Sequence, residues 1–224
     1  LKPGIAVALL LVLLMSCTDE VVSTRGTEYF PLRTGYQWVY HVQETTYGVG
    51  GTTETTFKLK IEVTDSFTNT EGGITYVLHR YRRMTDSEPW TFESTASARL
   101  SGTFALTTSG NTTYASLAFP AYVSRTWNGN VFNALGEDEY RVTAIGESMT
   151  VEGETFSDVL QVEQERVENN LVFRDVREEV YAKNIGLIYK RSEVWNYVCS
   201  GGLCTEQIAS GQQWIQSLIS HGVQ

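Results

Sequence analysis

The sequence predicts an all-β fold, a strongly curved antiparallel meander that forms an open or partly closed barrel, with a two-sheet β-sandwich as the alternative. Three observations carry that prediction. Beyond residue 28, apolar residues recur with a period of two, the spacing of side chains on one face of a strand. Turn residues punctuate these runs at short intervals. Thr, Val and Tyr are abundant, and no stretch sustains a long helical pattern with caps.

Taken in order, Gly35 permits a tight turn before an aromatic strand carrying Trp38, Tyr40 and Val42. In ETTFKLKIEV, Phe57, Leu59, Ile61 and Val63 share one face and Lys58, Lys60 and Glu62 the other, which reads as an antiparallel strand with one wet side. Gly72-Gly73 turns the chain into its hairpin partner, ITYVLHRYRRM. Trp90, Phe92 and Ser94 alternate after Pro89, and TFALTTSGNTTYASLAF reads as two short strands around Ser109-Gly110-Asn111. The second half continues with EYRVTAIGESMTV, a Glu152-Gly153 turn, DVLQVEQERVE with an ionic outer face, Asn169-Asn170, LVFRDVREEVYA, and GLIYKRSEVWNY. The closing segment QQWIQSLISHG fits a short helix as well, but Trp214, Gln216, Leu218 and Ser220 alternate, so a strand over about 214–221 is expected.

The N-terminus carries different information. Residues 5–15 are an unbroken apolar run of eleven, preceded by Lys2, too short for a bilayer span of roughly 20 residues and of the length of a secretory signal core. Leu14-Met15-Ser16-Cys17 resembles the lipobox of bacterial lipoproteins, in which the Cys is acylated and becomes the first mature residue. That resemblance implies a leader at 1–16, an acylated Cys17 followed by a tether to residue 28, and a β-domain from 29 to 224. Two or more acyl chains hold a protein stably at a membrane without any spanning segment. Thr18-Asp19-Glu20 resembles the acidic signal that sends some lipoproteins to the cell surface, and it reads equally as a solvated tether.

With Cys17 assigned to lipid, two of the three cysteines remain, Cys199 and Cys204, a pair that could close the end of a hairpin in an oxidising compartment or stay as free thiols. No second Cys or His pair accompanies them, so metal binding is not expected. The net charge is −9, and the leader's only charge is Lys2, leaving −10 for the rest. That argues against a nucleic-acid partner, whose phosphates require a basic face.

The phrase FPLRTGYQW, residues 30–38, returns as FPAYVSRTW, residues 119–127, and divides the domain into halves of about 29–114 and 115–224. Proline at the second position suits a strand start. Each copy reads as a joint at the head of a hairpin series, with Trp38 and Trp127 turned inward as core payload. YFPLRTGYQWVY, AFPAYVSRTWNGN, VEGETFSDVLQV and YAKNIGLIYKR together resemble a group of uncharacterised bacterial envelope lipoproteins with YFPLxxGxxWxY near the start and YYAxxVGLV late in the chain. Ser124 departs from the usual Gly, and the Cys199 to Cys204 loop lies outside the pattern. Some members are similar in shape to the carriers and receptors of lipoprotein localisation, which fold a curved sheet around an acyl chain.

Chemistry-bearing patterns are sparse. His41, His79 and His221 are isolated, and there is no H-E-x-x-H or G-x-S-x-G. Glu137-Asp138-Glu139 could hold Ca²⁺ but lacks the glycine-spaced ligand pattern and reads as a solvated turn. Glu163 and Glu165 share a strand face and could pair as acid and base only in a cleft. His79 to Arg83 is the basic patch of an acidic chain, read either as facing an anionic ligand or headgroups, or as an edge-strand guard.

The expectation is therefore a non-enzymatic envelope lipoprotein at the outer membrane, without cofactor, that binds or shields an apolar ligand or a protein partner. The alternative is a surface accessory for polysaccharide capture, with Trp90, Trp127 and Trp195 stacking on sugar faces, and the third is a structural protein without small ligand. A hollow apolar interior separates the first from the last.

Overall fold

The computed structural model describes residues 25–223; the apolar run, the lipobox and Cys17 lie outside the described residues. The fold is all-β, a single sheet of antiparallel strands rolled into a nearly closed barrel, with one short 3-10 turn at Thr27–Tyr29.

The first six strands are β1 (Tyr36–Gly48), β2 (Gly51–Thr68), β3 (Ile74–Arg83), β4 (Thr91–Ser101), β5 (Phe104–Ser109) and β6 (Thr112–Ala118). The second six are β7 (Thr126–Asn128), β8 (Glu139–Val151), β9 (Glu154–Val167), β10 (Phe173–Ala182), β11 (Gly186–Ser200) and β12 (Leu203–Val223). In space the order is β6-β5-β4-β3-β2-β1-β12-β11-β10-β9-β8-β7. Each set of six is thus a simple meander, and the first and last strands of the chain pair at the centre of the sheet, Tyr36 opposite Val223.

The barrel's seam lies between β6 and β7. No ladder closes it; the Ala115 N–H donates to the Gly129 carbonyl at 2.9 Å and the Trp127 indole Nε1 donates to the Ala115 carbonyl at 2.8 Å. The β5–β6 hairpin at that seam is covered on both faces. Thr107 and Tyr114 face the barrel interior, whereas their neighbours Leu106 and Ala115 belong to a buried cluster with Trp127, Tyr140, Val142, Leu160 and Val162. Covering an edge in this way removes the unpaired backbone that would otherwise template aggregation.

Because the meander is antiparallel, its turns alternate between two rims. The chain enters at one of them, where residues 25–32 are tied down: the Ala121 N–H donates to the Arg25 carbonyl at 2.9 Å, the Asn184 N–H to the Glu28 carbonyl at 2.7 Å, and the buried Tyr29 hydroxyl to Asp158. The long β8–β9 hairpin is bent by three register shifts. Its tip reaches the opposite side of the sheet, where Glu152 meets His41 at 3.4 Å. His41 points away from the interior, since its neighbour Tyr40 points in, so this hairpin folds over the barrel's outside.

The two Phe-Pro phrases sit immediately before β1 and β7 and share backbone geometry. Gly35 and Ser124 both adopt positive φ, 83° and 72°. Their N–H groups donate to valine carbonyls on the neighbouring strand, Val63 and Val142, both at 2.8 Å. Turns close from Tyr36 N to the Arg33 carbonyl and from Arg125 N to the Tyr122 carbonyl. Trp38 and Trp127 are each 7 % exposed, so both face inward as core.

Most strands fall where their alternation places them, and QQWIQSLISHG is strand. The last strand differs in length, running back to Leu203 rather than starting near Trp214. Its first half has no apolar alternation because it extends the β11 hairpin past the barrel wall, where Cys199 and Cys204 stand opposite each other and are joined as a disulfide. The basic run on β3 also differs from the edge-strand reading: β3 is internal, paired with β2 and β4.

Candidate ligand-binding cavity

The inward residues of the sheet are unequal in size. On β1 and β10 they are Trp38, Tyr40 and Tyr181, whereas facing strands contribute Ala96 and Ala98 of β4, Thr107 of β5 and Ser116 of β6. Large side chains on one wall do not meet small ones on the other, and a partly enclosed cavity of about 290 Å³ remains. That volume stands at the lower end of the roughly 300–1,000 Å³ range of small-molecule sites.

The cavity lining is of two kinds. Its apolar part is Phe30, Pro31 and Leu32 of the entry segment with Ile61, Leu78 and Leu187. Gly186, at φ 100°, brings the β10–β11 turn against the Trp38 ring, and a Cβ there would lie 3.3 Å from the indole nitrogen. The indole in turn donates to the Ile185 carbonyl at 2.6 Å. This pins the aromatic wall to the turn.

The rest of the lining is polar. Glu179 on β10 is 7 % exposed, accepts from Lys190 Nζ at 2.8 Å and from the Tyr181 hydroxyl. Burial by itself raises the Glu179 pKa, but the Lys190 charge and hydrogen bonds from Lys190, Tyr181 and Gln164 outweigh it and hold the carboxyl below its ordinary value. The same carboxylate, after burial, pushes the Tyr181 and Tyr40 phenols up, so both are neutral donors. The Tyr40 hydroxyl donates to the Leu187 carbonyl at 3.0 Å, and Thr107 and Ser116 bond each other at 2.7 Å.

Arg80 of β3, across from Ile61, also lines the cavity. Its Nε is buried without a hydrogen-bond partner, and the carboxylate beside it, Glu93, stands 3.7 Å away. Period two has divided the basic run between faces. Arg80 and Arg82 point inward, Arg82 lying 3.6 Å over the Phe57 ring. Arg83 points outward, over Trp90 at 4.3 Å and onto Asp86 at 2.7 Å.

The three tryptophans put forward as a sugar platform are not brought together. Trp127 is inside the wall, edge-on to Tyr140 at 5.8 Å, and offers no face to solvent, which corrects its reading as a stacking residue. Trp90, just before β4, is half-buried under Arg83. Trp195 on β11 is half-buried between Tyr47 and Arg174. Glu163 is engaged by Arg166 on the barrel's outside, and Glu165 is exposed, so the two do not share a cleft. Asp138 of the acidic turn is spent on Arg177, whose guanidinium forks onto it at 2.7 and 3.0 Å. Among the described residues no cluster of His, Cys, Asp and Glu could hold a metal ion.

Sequence reasoning missed Glu179, Lys190 and Gln216. In DVREEVYA the apolar phase, Val176, Val180 and Ala182, looks like the inward one. All three are buried, but Glu179 and Tyr181 are the residues in the cavity. Val180 and Ala182 pack in a cluster with Val151, Phe156 and Val159 of the overfolded β8–β9 hairpin.

The chain matches no protein-family model and no curated protein. Two solved structures are similar to it. One is a Bacteroides fragilis protein described as exported, with a YmcC-like fold, at 13 % identity and a TM-score of 0.48, covering 86 % of this chain and 97 % of that one. The other is a Parabacteroides distasonis protein described as a lipoprotein, at 12 % identity and a TM-score of 0.47, covering 87 % and 98 %.

Proposed function

We propose that this protein is a non-enzymatic lipoprotein of the bacterial envelope, held at the outer membrane by acylated Cys17, whose barrel shelters one small, largely apolar molecule. The observation that carries the reading is the cavity of about 290 Å³ between the aromatic wall of β1 and β10 and the small residues of β4 to β6. A domain of this size with no need to hold anything would fill such a space with its own side chains, because packing to crystal-like density contributes stability. The lipobox supports the attachment, and residues 25–29, tied to the rim, lead directly into Phe30, Pro31 and Leu32 of the cavity lining.

The test is extraction of the full-length protein from its membrane and solvent release of whatever it holds. The wild type is expected to yield about one equivalent of a single apolar species, and an Ala96→Phe variant, whose ring fills the cavity, to yield little. A wild type that releases nothing above the Ala96→Phe background refutes the reading. Cys17→Ser is expected to move the protein out of the membrane fraction.

A further inference from the structure

The two rims of the barrel differ in charge. Among the described residues, the Lys and Arg side chains outside ion pairs are Arg25, Arg33, Arg82, Arg99 and Arg125. Arg82 is turned inward over the Phe57 ring. The other four stand at the rim where the chain enters: Arg25 and Arg33 on either side of the 3-10 turn, Arg99 near the end of β4, and Arg125 just before β7. The unpaired carboxylates beside them are Asp65 and Glu71 of the β2–β3 connection, while the β8–β9 hairpin carries Glu147 and Glu154 away over the outside. At the far rim the charges left unpaired are carboxylates, such as Glu54, Glu88 and Glu206. The entry rim also exposes Leu100, Tyr122 and Val123. Backbone bonds gather these tips around the entering chain: the Phe119 N–H donates to the Thr103 carbonyl at 2.7 Å and the Ala121 N–H to the Arg25 carbonyl at 2.9 Å. Arg125 lies 5.8 Å from the Tyr122 ring and donates to its hydroxyl at 3.5 Å. An exposed phenol beside a guanidinium suits a water–lipid boundary, where the ring sits among apolar groups and the charged head stays wet.

We propose that the entry rim is a membrane-contacting surface, seated on an anionic bilayer with Leu100, Tyr122 and Val123 at the headgroup level and Arg25, Arg33, Arg99 and Arg125 meeting lipid phosphates. The inference rests on the anchoring of Cys17 proposed above and adds which end of the barrel touches the lipid. Eight residue steps separate Cys17 from Arg25, a span of at most about 28 Å when fully extended. The anchor therefore holds this rim, rather than the far one, close to the bilayer. Apolar area and attraction to anionic lipid together set how firmly a surface lies on a membrane, and only the entry rim joins the two. Val49, Leu171 and Leu203 are exposed at the far rim, but the carboxylates there are repelled by anionic headgroups.

The experiment places a fluorophore on Val123→Cys or on Val49→Cys of the full-length protein, reconstituted in phosphatidylcholine vesicles with and without phosphatidylglycerol. A doxyl-labelled phosphatidylcholine in the same vesicles quenches whichever label touches lipid, and mass spectrometry reads acylation of Cys17 separately. The label at 123 is expected to be quenched and the label at 49 to stay bright. Arg25→Gln should lower the ratio of seated to free protein about fivefold with phosphatidylglycerol present, the scale of one cation beside an anionic surface, and leave it unchanged without. Tyr122→Ser should lower it in both kinds of vesicle. If the label at 123 prevents folding, Leu100→Cys carries it instead. Equal quenching at the two rims, or quenching at Val49 alone, overturns the inference and leaves the anchoring reading standing. Quenching at 123 that ignores both Arg25→Gln and Tyr122→Ser also overturns it, since the tether alone then accounts for proximity. An unacylated Cys17, or protein absent from the vesicles, sinks the anchoring reading and this inference with it.

Discussion

Glu179→Gln is the perturbation that best probes the barrel interior. Breaking a fully buried ion pair from one side costs about 3–5 kcal/mol. Two features reduce that here: Lys190 keeps 35 % of its side chain in contact with solvent, and the glutamine amide still offers an oxygen to Tyr181. The expected loss at pH 7 is therefore about 2–3 kcal/mol. For a chain of this length that lowers the thermal midpoint by roughly 4–12 °C. The pH dependence separates this cause from simple misfit. The folded-state pKa of Glu179 is depressed from its ordinary 4.5, so its contribution is fully present above that value and is lost as pH falls through the lower folded one. The wild type should destabilise on acidification below about pH 5, and the variant should show a shallower slope over that window. Replacing both partners by leucine should recover at least half of the loss, since the desolvation of two charges disappears with them. Circular dichroism melts from pH 3 to 7 decide the matter. Parallel pH profiles for wild type and variant, or an unchanged midpoint at pH 7, would refute the reasoning.

Ser124→Gly should stabilise the protein by about 0.5–1 kcal/mol, because Ser124 holds φ 72° with a side chain that disfavours it; Gly35→Ala, at φ 83°, should cost about 1 kcal/mol. Urea unfolding midpoints that shift in the same direction for both would contradict the shared-joint geometry. Trp127→Phe removes the 2.8 Å bond to Ala115 and leaves that carbonyl unpaired, costing about 1–3 kcal/mol. Amide exchange over residues 112–118 should accelerate selectively, and unchanged protection there would mean the seam does not depend on the indole.

What could be read from the chain follows from how local the signal is. Alternation in ETTFKLKIEV or EYRVTAIGESMTV needs only neighbouring residues to declare a strand, because successive side chains of an extended backbone must point to opposite faces. Turn glycines do the same for boundaries. The doubled Phe-Pro phrase was legible as a joint because each copy stands at the head of a hairpin series and large aromatics are usually core payload, and Ser124 for Gly35 is a conservative exchange only in that both hold a positive φ. The candidate site was far less legible. Its residues lie on nine of the strands, and no two of Arg80, Glu179 and Gln216 are near in sequence. The basic run from His79 to Arg83 was visible, but only pairing on both sides of β3 shows that Arg80 alone of its cations enters the cavity.

The sequence by itself determined that the chain is a β meander, since periodicity and punctuation are properties of neighbours along the chain. Only the tertiary structure decided which face of each strand is inside. In a rolled sheet overlapped by its own β8–β9 hairpin and tucked at its β5–β6 edge, both faces of a strand can be buried, so hydrophobic phase no longer distinguishes interior from exterior. Glu179 therefore ends in the cavity and Val180 beneath the hairpin. The hollow itself arises because the large residues of β1 and β10 oppose the small ones of β4 to β6, a mismatch between strands far apart in the chain.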